Sequence, residues 1–557
     1  MSKNSKINLH IWLLALASSV LLSVPYIVPH CGLVSLIALV PLFLAEQLAY
    51  NSGKKRFFHV AYTSFLVWNV ITTFWIWFAT PGGALAAFIL NSLQMAIIFS
   101  LFRWMRRCTN GFLPYVFFCI LWLAWEHSYQ TWQITWPWLV LGNSFASSVG
   151  NIQWYEYTGV LGGSLWILLT NMLIHRIILL KARKKAIRVS VISVLALIFI
   201  PIIISRIIYS SYEEKLAPAQ FAVLQPNIDP YGEKFYGQPL SVQTQGLLSL
   251  ADMAMAHDTS ASCMVVAPET FIFTESYSTA LLESAPLAND PLCSMAEWTL
   301  AQNRNTREVS FITGAVTFSS KEETRTVIGN NRQLVTVTRR VPDTCYNASV
   351  FIAPQPGDTL EQLVPQFYHK SKLVVLAESN PFKNGPFKFM DKLVSGMAGG
   401  IGDYGTQPYR TVYEAQNGVK TGTAICYESV FSDFYREWPL NGANVMTIIT
   451  NDGWWRDTPG HIQHLNYARL RAIENRRSIA RCANTGISAF INQRGDIVEQ
   501  TGWWERGYLT GSLNLNEEMT IFTQYGDITG RLSRFLAFIF LLMGVARRIA
   551  KKYIGIR

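Results

Sequence analysis

A thiol, a carboxylate and an ammonium group stand in this sequence where they could do covalent chemistry together. Cys426 closes the apolar run Val419 to Ile425, and Glu269 follows Val265-Val266-Ala267-Pro268. Each lies where a strand-like run gives way to a turn, so each can face a cleft without full burial. Lys370 follows Tyr368-His369. A free thiol, with a pKa of about 8.5, is mostly protonated at neutral pH. A neighbouring carboxylate can accept its proton, which assigns Glu269 as general base. Attack on an ester carbonyl builds negative charge on oxygen. A positioned ammonium stabilises that charge, which assigns Lys370, together with a backbone N–H near Cys426. Loss of the alcohol leaves a thioester, and an amine attacks it in a second, ping-pong half-reaction. Singly, each residue has a plainer reading: a core cysteine, a surface glutamate, and a solvated Lys370-Ser371-Lys372 loop.

The elements that would carry these groups can be read from apolar patterning. Short β-rich runs lie at 219–225, 264–267, 309–316, 348–353, 419–427, 445–450 and 487–492. Helical patterns separate several of them; the clearest spans 461–481, with Leu465, Ala468, Ala472, Ile473 and Ile479 spaced for one face. Gln493-Arg494-Gly495-Asp496 is a hairpin signal and predicts late antiparallel strands. The alternation predicts a layered α/β or α+β domain.

The rest of the chain is a different medium. Of 557 residues only 15% are charged, and the deficit falls in residues 1–210 and the last 25. Seven long apolar runs, near 8–28, 32–49, 58–79, 83–102, 112–126, 157–180 and 189–209, precede the polar part, and an eighth lies near 532–546. Roughly 20 apolar residues in a helix cross a hydrocarbon core, and backbone amides in lipid must bond within the segment. About eight transmembrane helices are therefore expected. Lys and Arg cluster in alternate loops, at 54–56, 103–107, 176–188 and 547–552, while 25–32, 80–83 and 127–156 carry none. This asymmetry puts both termini in the cytoplasm and residues 210–530 outside. Much of the net charge of +11 follows from that topology, so no nucleic-acid partner is expected. Three parts are predicted: helices in 1–210, a catalytic domain in 215–515, and a last helix with a basic tail in 530–557.

Cys263, Cys293, Cys345, Cys426 and Cys482 lie in the outside domain. An odd number in an oxidising compartment leaves at least one thiol unpaired within the chain. A Cys293–Cys345 bridge stays open. The spacings are irregular and contain no CxxC, so no metal site is expected.

Several motifs occur in a telling order. They are Pro268-Glu269; Tyr368-His369-Lys370 with Leu373-Val374 and Glu378; and Ala424-Ile425-Cys426-Tyr427-Glu428. Then come Thr450-Asn451-Asp452-Gly453-Trp454-Trp455, Gln463-His464, and Asn484-Thr485-Gly486-Ile487. This series resembles the nitrilase superfamily and its membrane branch, the apolipoprotein N-acyltransferases, as does Thr135-Trp136-Pro137-Trp138-Leu139. The resemblance implies an αββα sandwich on a helical bundle and a Glu269–Lys370–Cys426 triad. Glu378, Tyr427 and Glu428 would support that triad. It further implies a phospholipid acyl donor and, as acceptor, the α-amine of a diacylglyceryl-cysteine in an apolipoprotein. No cofactor is expected, and the enzyme would act as a monomer in a bacterial inner membrane with its catalytic domain in the periplasm. Phe382, Phe387, Trp454 and Trp455 are the candidate lipid contacts, the first two within an apolar lid at 382–397. The family commonly reads Val-Pro-Phe-Gly-Glu after the lysine; Val374-Val375-Leu376-Ala377-Glu378 stands here, so an altered loop backbone is expected. A membrane-tethered amidase with the same triad is the competing reading.

Overall fold

The computed structural model describes residues 3–553 except 110, 133, 183–185, 235–236, 279–290, 305–306, 329–333, 384–387, 389–390 and 392–403. Six helices among the described residues are long and apolar enough to cross a membrane. They are Asn4–Ile27, Gly32–Asn51, Pro81–Cys108, Tyr155–Ala182, Arg188–Ser211 and Ile528–Tyr553. This corrects the expected eight. The other two expected spans do form helices, but Phe58–Thr73 has 16 residues and Leu113–Tyr129 has 17. The first breaks at Phe74-Trp75 and resumes as the short helix Ile76–Ala79, which local chemistry stops. Thr80 precedes Pro81 and is held extended (φ −154°, ψ 99°), because proline disfavours the helical region in the residue before it. The Thr80 hydroxyl then accepts from Gly83 N at 3.2 Å, capping the next helix. The expected run at 532–546 belongs to a longer helix, Ile528–Tyr553.

The polar domain has two sheets. The first contains β1 (Pro218–Gln225), β2 (Ser262–Val266), β3 (Ile272–Ser278), β4 (Glu308–Ile328), β5 (Leu334–Ile352), β6 (Gln366–His369) and β13 (Gly507–Asn514). Its order is β13-β1-β2-β4-β5-β6, with β3 beside β4. The second contains β7 (Val412–Glu414), β8 (Lys420–Ile425), β9 (Val445–Thr450), β10 (Ile479–Ala483), β11 (Ala489–Ile491) and β12 (Ile497–Gln500), in the order β12-β11-β10-β9-β8-β7. β1-β2-β4 and β8-β9-β10 are parallel.

Period-two alternation explains the layering. In β1, Phe221 and Val223 join the core shared with Ile448, Ile449 and Ala480 of the second sheet. Ala222 and Leu224 face the opposite way, into a core with Leu247 and Leu250 of the helix Leu240–His257. Both faces of β1 are thus buried, one under the second sheet and the other under a helix, so the strand is apolar on both sides. The helical pattern predicted over 461–481 ends sooner. The helix is Pro459–Asn475; Arg476 turns left-handed (φ 47°), and Ile479 belongs to β10. The predicted hairpin is present: β11 and β12 are antiparallel, with Gly495 at φ 81° in the turn.

The helix Pro459–Asn475 fastens this domain to the membrane part. Gln463 Oε1 accepts from Trp138 Nε1 at 2.7 Å and Trp75 Nε1 at 3.3 Å. Its Nε2 donates to the carbonyls of Tyr26 and Thr72, each at 3.1 Å. Glu474 Oε1 accepts from the backbone N–H of Val160 at 2.9 Å. Buried polar groups satisfied across a junction fix its geometry, because any other arrangement strands them without water.

Candidate active site

Three chain segments converge where the two sheets meet. Glu269 follows β2 in a turn pinned by Ala267 N to Ile312 O at 2.8 Å and Gly314 N to Pro268 O at 3.1 Å. Thr270 takes φ 48° to close it. Gly314 is what allows the approach: a Cβ there would lie 2.5 Å from both Glu269 Cα and Thr270 N. Gly314→Ala should therefore displace Glu269. A misplacement near 1 Å predicts a fall of about 10²-fold in the rate of any reaction in which Glu269 serves as base, read by single-turnover kinetics.

Lys370 leaves the end of β6, its N–H bonded to Asn347 O at 2.8 Å. The side chain is 1% exposed. Its Nζ donates to Glu269 Oε1 at 3.0 Å and to Glu378 Oε1 at 2.9 Å. Asn347 Nδ2 donates to the same two oxygens, at 2.8 and 2.9 Å. One ammonium and one amide thus hold two carboxylates together. Burial works against the Lys370 ammonium, but Glu269, Glu378 and Cys426 outweigh it and push its pKa up.

Cys426 ends β8 with φ 50° and opens the 3₁₀ turn Cys426–Val430. A non-glycine residue there is strained; Cys426 is partly buried, between buried Ile425 and Tyr427. Desolvation, and then the Glu269 charge, push its thiol pKa up, while Lys370 pulls it down. The thiol is therefore protonated at rest and within the fields of both groups.

Glu428 ties the cysteine turn to the lysine loop. Fully buried, its Oε2 accepts from Ile425 N at 2.8 Å, and its Oε1 from Ser371 N and Tyr368 Oη, each at 2.7 Å. In Glu428→Gln the amide NH₂ must face one of these donors. The loss of charge-assisted bonds is expected to cost about 1.5–3 kcal/mol, seen as a lower thermal midpoint in detergent. Beneath the turn, His464 Nε2 lies 3.1 Å from Cys426 O, and Nδ1 lies 2.9 Å from Asp452 Oδ1. Arg481 pairs with the other Asp452 oxygen. Burial opposes that charge, yet Arg481 and His464 hold the Asp452 carboxyl below its usual range.

Glu269, Lys370, Cys426, Glu378 and Glu428 are thus brought together. Tyr427 points away, toward the membrane part: its hydroxyl donates to Thr135 O at 3.1 Å, and its ring stacks on Trp136 at 6.0 Å. Phe382 helps line an apolar cavity of about 360 Å³ with Leu90, Trp136, Val374 and Leu376. Leu376 takes φ 66°, so the loop expected to be unusual holds a strained non-glycine residue. Trp455 packs on Trp75 and Trp138, at 4.7 and 5.7 Å, and Trp454 on Tyr231 at 5.3 Å. Both sit at the domain junction and not among that cavity's lining residues. Phe387, and all of the expected lid except Phe382, Lys383, Lys388 and Asp391, lie outside the described residues. Cys293 and Cys345 are not bridged.

Two site residues escaped the sequence reading. Asn347 immediately precedes the run 348–353, and its alternation marks a face but no partner. Lys234 is buried, and its Nζ donates to Glu269 O at 3.0 Å and Thr270 Oγ1 at 3.1 Å. Burial pushes its pKa down to about 8. Nothing in a loop sequence distinguishes such a lysine from a solvated one.

Residues 221–519 match the carbon-nitrogen hydrolase family, and residues 18–173 match the apolipoprotein N-acyltransferase N-terminal domain. The apolipoprotein N-acyltransferase of Chlorobaculum tepidum is 28% identical over 531 residues, 93% of each chain. That of Geobacter metallireducens is 25% identical over 93% of this chain and 92% of its own. Nit3 of Saccharomyces cerevisiae, a member of branch 10 of the nitrilase superfamily, is 16% identical with a TM-score of 0.34, covering 54% of this chain and 90% of that one. A hydrolase-type domain joined to that N-terminal domain, along a chain paralleled nearly end to end by such relatives, makes this chain a member of the carbon-nitrogen hydrolase family in its apolipoprotein N-acyltransferase branch.

Proposed function

We propose that this chain moves a fatty acyl group from a membrane phospholipid to the N-terminal α-amine of diacylglyceryl-cysteine in apolipoproteins. Cys426 is the nucleophile, Glu269 the general base and Lys370 the oxyanion partner. In the first half-reaction Glu269 takes the thiol proton, sulfur bonds to the ester carbonyl, and the C–O bond breaks. The proton goes to the departing lysophospholipid alcohol, leaving a thioester. In the second, the amine bonds to that carbonyl carbon, Glu269 takes the amine proton, the C–S bond breaks, and Glu269 returns that proton to the sulfur to restore the thiol. Glu378 and Asn347 orient Lys370, and Glu428 and Tyr427 seat the cysteine turn. Phe382 contacts lipid, while Trp454 and Trp455 hold the junction.

One observation carries the choice of acyl transfer over amide hydrolysis. The loop that returns Glu378 to Lys370 also walls, through Val374 and Leu376, an apolar cavity whose other wall is the membrane helix Pro81–Cys108. Drawing an acyl chain into water costs about 0.8 kcal/mol per CH₂; a cleft opening on lipid avoids that loss. The chain is a multi-pass membrane protein. The basic loops favour an inner membrane with both termini cytoplasmic and the catalytic domain periplasmic. We read residues 1–210, 215–515 and 530–557 as helical, catalytic and helical parts, in a working monomer.

The test is purified protein in phospholipid with a diacylated lipopeptide. Gain of one acyl chain on the α-amine, and none on a peptide already acetylated there, is expected. A short polar acyl group trapped on Cys426, with no fatty acyl transferred, would favour the amidase.

A further inference from the structure

A second cavity, of about 310 Å³, lies at the other end of the helices from Cys426. The catalytic domain meets the membrane part near Thr72, Tyr129–Trp138 and Val160. This cavity is walled by the opposite ends of helices, at Tyr50, Arg106, Phe112 and Arg176. We propose that it binds the phosphate of a glycerophospholipid whose acyl chains lie along the helix Tyr155–Ala182.

Charge is the first support. Arg103 and Arg106 both pair with Glu46, and Arg106 Nη2 also donates to Gln47 Oε1 at 2.8 Å. Arg176 has no carboxylate partner among the described residues; its guanidinium lies 5.1 Å over the Phe112 ring. Two guanidiniums therefore line the cavity, Arg106 sharing Glu46 with Arg103 and Arg176 with no carboxylate, and among the described residues no Asp or Glu lines it. The second support is independent. His175, 1% exposed, lines the cavity, and neither ring nitrogen has a hydrogen-bond partner among the described residues. Its ring is fixed between Phe43 and Tyr115, with centroids 5.6 and 5.4 Å away. A buried, oriented imidazole without a partner calls for one, and beside the Arg176 guanidinium, which no carboxylate among the described residues neutralises, an oxyanion satisfies both. Beyond Gln47 and Thr109, the wall formed by Met172, Leu179 and Leu180 is apolar and continues along a membrane helix. That continuation suits a lipid better than a soluble phosphate.

The test uses the full chain, purified and delipidated in detergent, with three probes: phosphatidylglycerol, diacylglycerol with the same chains, and inorganic phosphate. Native mass spectrometry should detect a one-to-one adduct with phosphatidylglycerol. Arg176→Gln should weaken it by roughly thirtyfold or more, and Arg176→Lys should partly restore it. His175→Phe, which keeps the ring packing, should weaken it too, with acyl transfer to lipopeptide retained in every variant. Equal retention by wild type and variants overturns the proposal, as does equal retention of diacylglycerol. Displacement of the lipid by inorganic phosphate at matched concentration overturns the assignment to a lipid.

Discussion

Cys426→Ala is expected to abolish acyl transfer while leaving the protein folded. In a nucleophile-and-base unit, loss of the nucleophile alone costs on the order of 10⁶ in turnover. The fold should hold, because Ser429 Oγ and the His464 ring bond the Cys426 carbonyl and not its side chain. Deleting one half-buried atom costs about 1 kcal/mol. Cys426→Ser should fall nearly as far, since a hydroxyl is a far weaker nucleophile than a thiolate beside the same carboxylate. Single-turnover transfer to lipopeptide, with thermal midpoints in detergent as the control, checks both halves. A variant that transfers at a tenth of the wild-type rate would be incompatible with sulfur as the nucleophile.

Lys370→Met should cost rate and stability together. Removing an oxyanion partner predicts a loss of about 10²–10³ in the acylation rate. The stability cost has another origin. Glu269 and Glu378 share Lys370 Nζ and Asn347 Nδ2. Without the ammonium, two carboxylates face each other through one amide. Breaking a buried ion pair by deleting one partner costs about 3–5 kcal/mol. Lys370→Met with Glu378→Gln removes one of the stranded charges, so the double variant should regain part of the stability and none of the rate. A double-mutant cycle on thermal midpoints and kcat separates the two roles. Full recovery of turnover in the double variant would mean that Lys370 serves only to neutralise Glu378.

The sequence was most legible where physics is local. Glu269 and Cys426 each stand at the end of an apolar strand-like run, a local signal that singly also fits a surface glutamate and a core cysteine, and only the order of the motifs singled them out. The lysine needed order along the chain, since Lys370-Ser371-Lys372 reads as surface until its burial is seen. Helix termini were harder. Ile479 fits the periodicity of the helix before it, and only the left-handed turn at Arg476 moves it into β10. Hydropathy merged Phe58–Thr73 with the short helix Ile76–Ala79 because Phe74 and Trp75, at the break between them, are as apolar as their neighbours. Asn347, Lys234 and the Gln463 junction depend on long-range pairing, which a linear pattern does not encode. Glu428 lies between these cases: its place two residues after the thiol was evident, and its role as the stitch to Ser371 needed coordinates.

The most direct measurement is the intact mass of the protein after incubation with a phospholipid of defined acyl chains and no acceptor, followed by peptide mapping. One acyl group should appear on Cys426, survive until a lipopeptide amine is added, and then leave with the peptide. An acyl group mapped to any other residue, or transfer proceeding at full rate through an enzyme that never carries one, would contradict the thioester on Cys426.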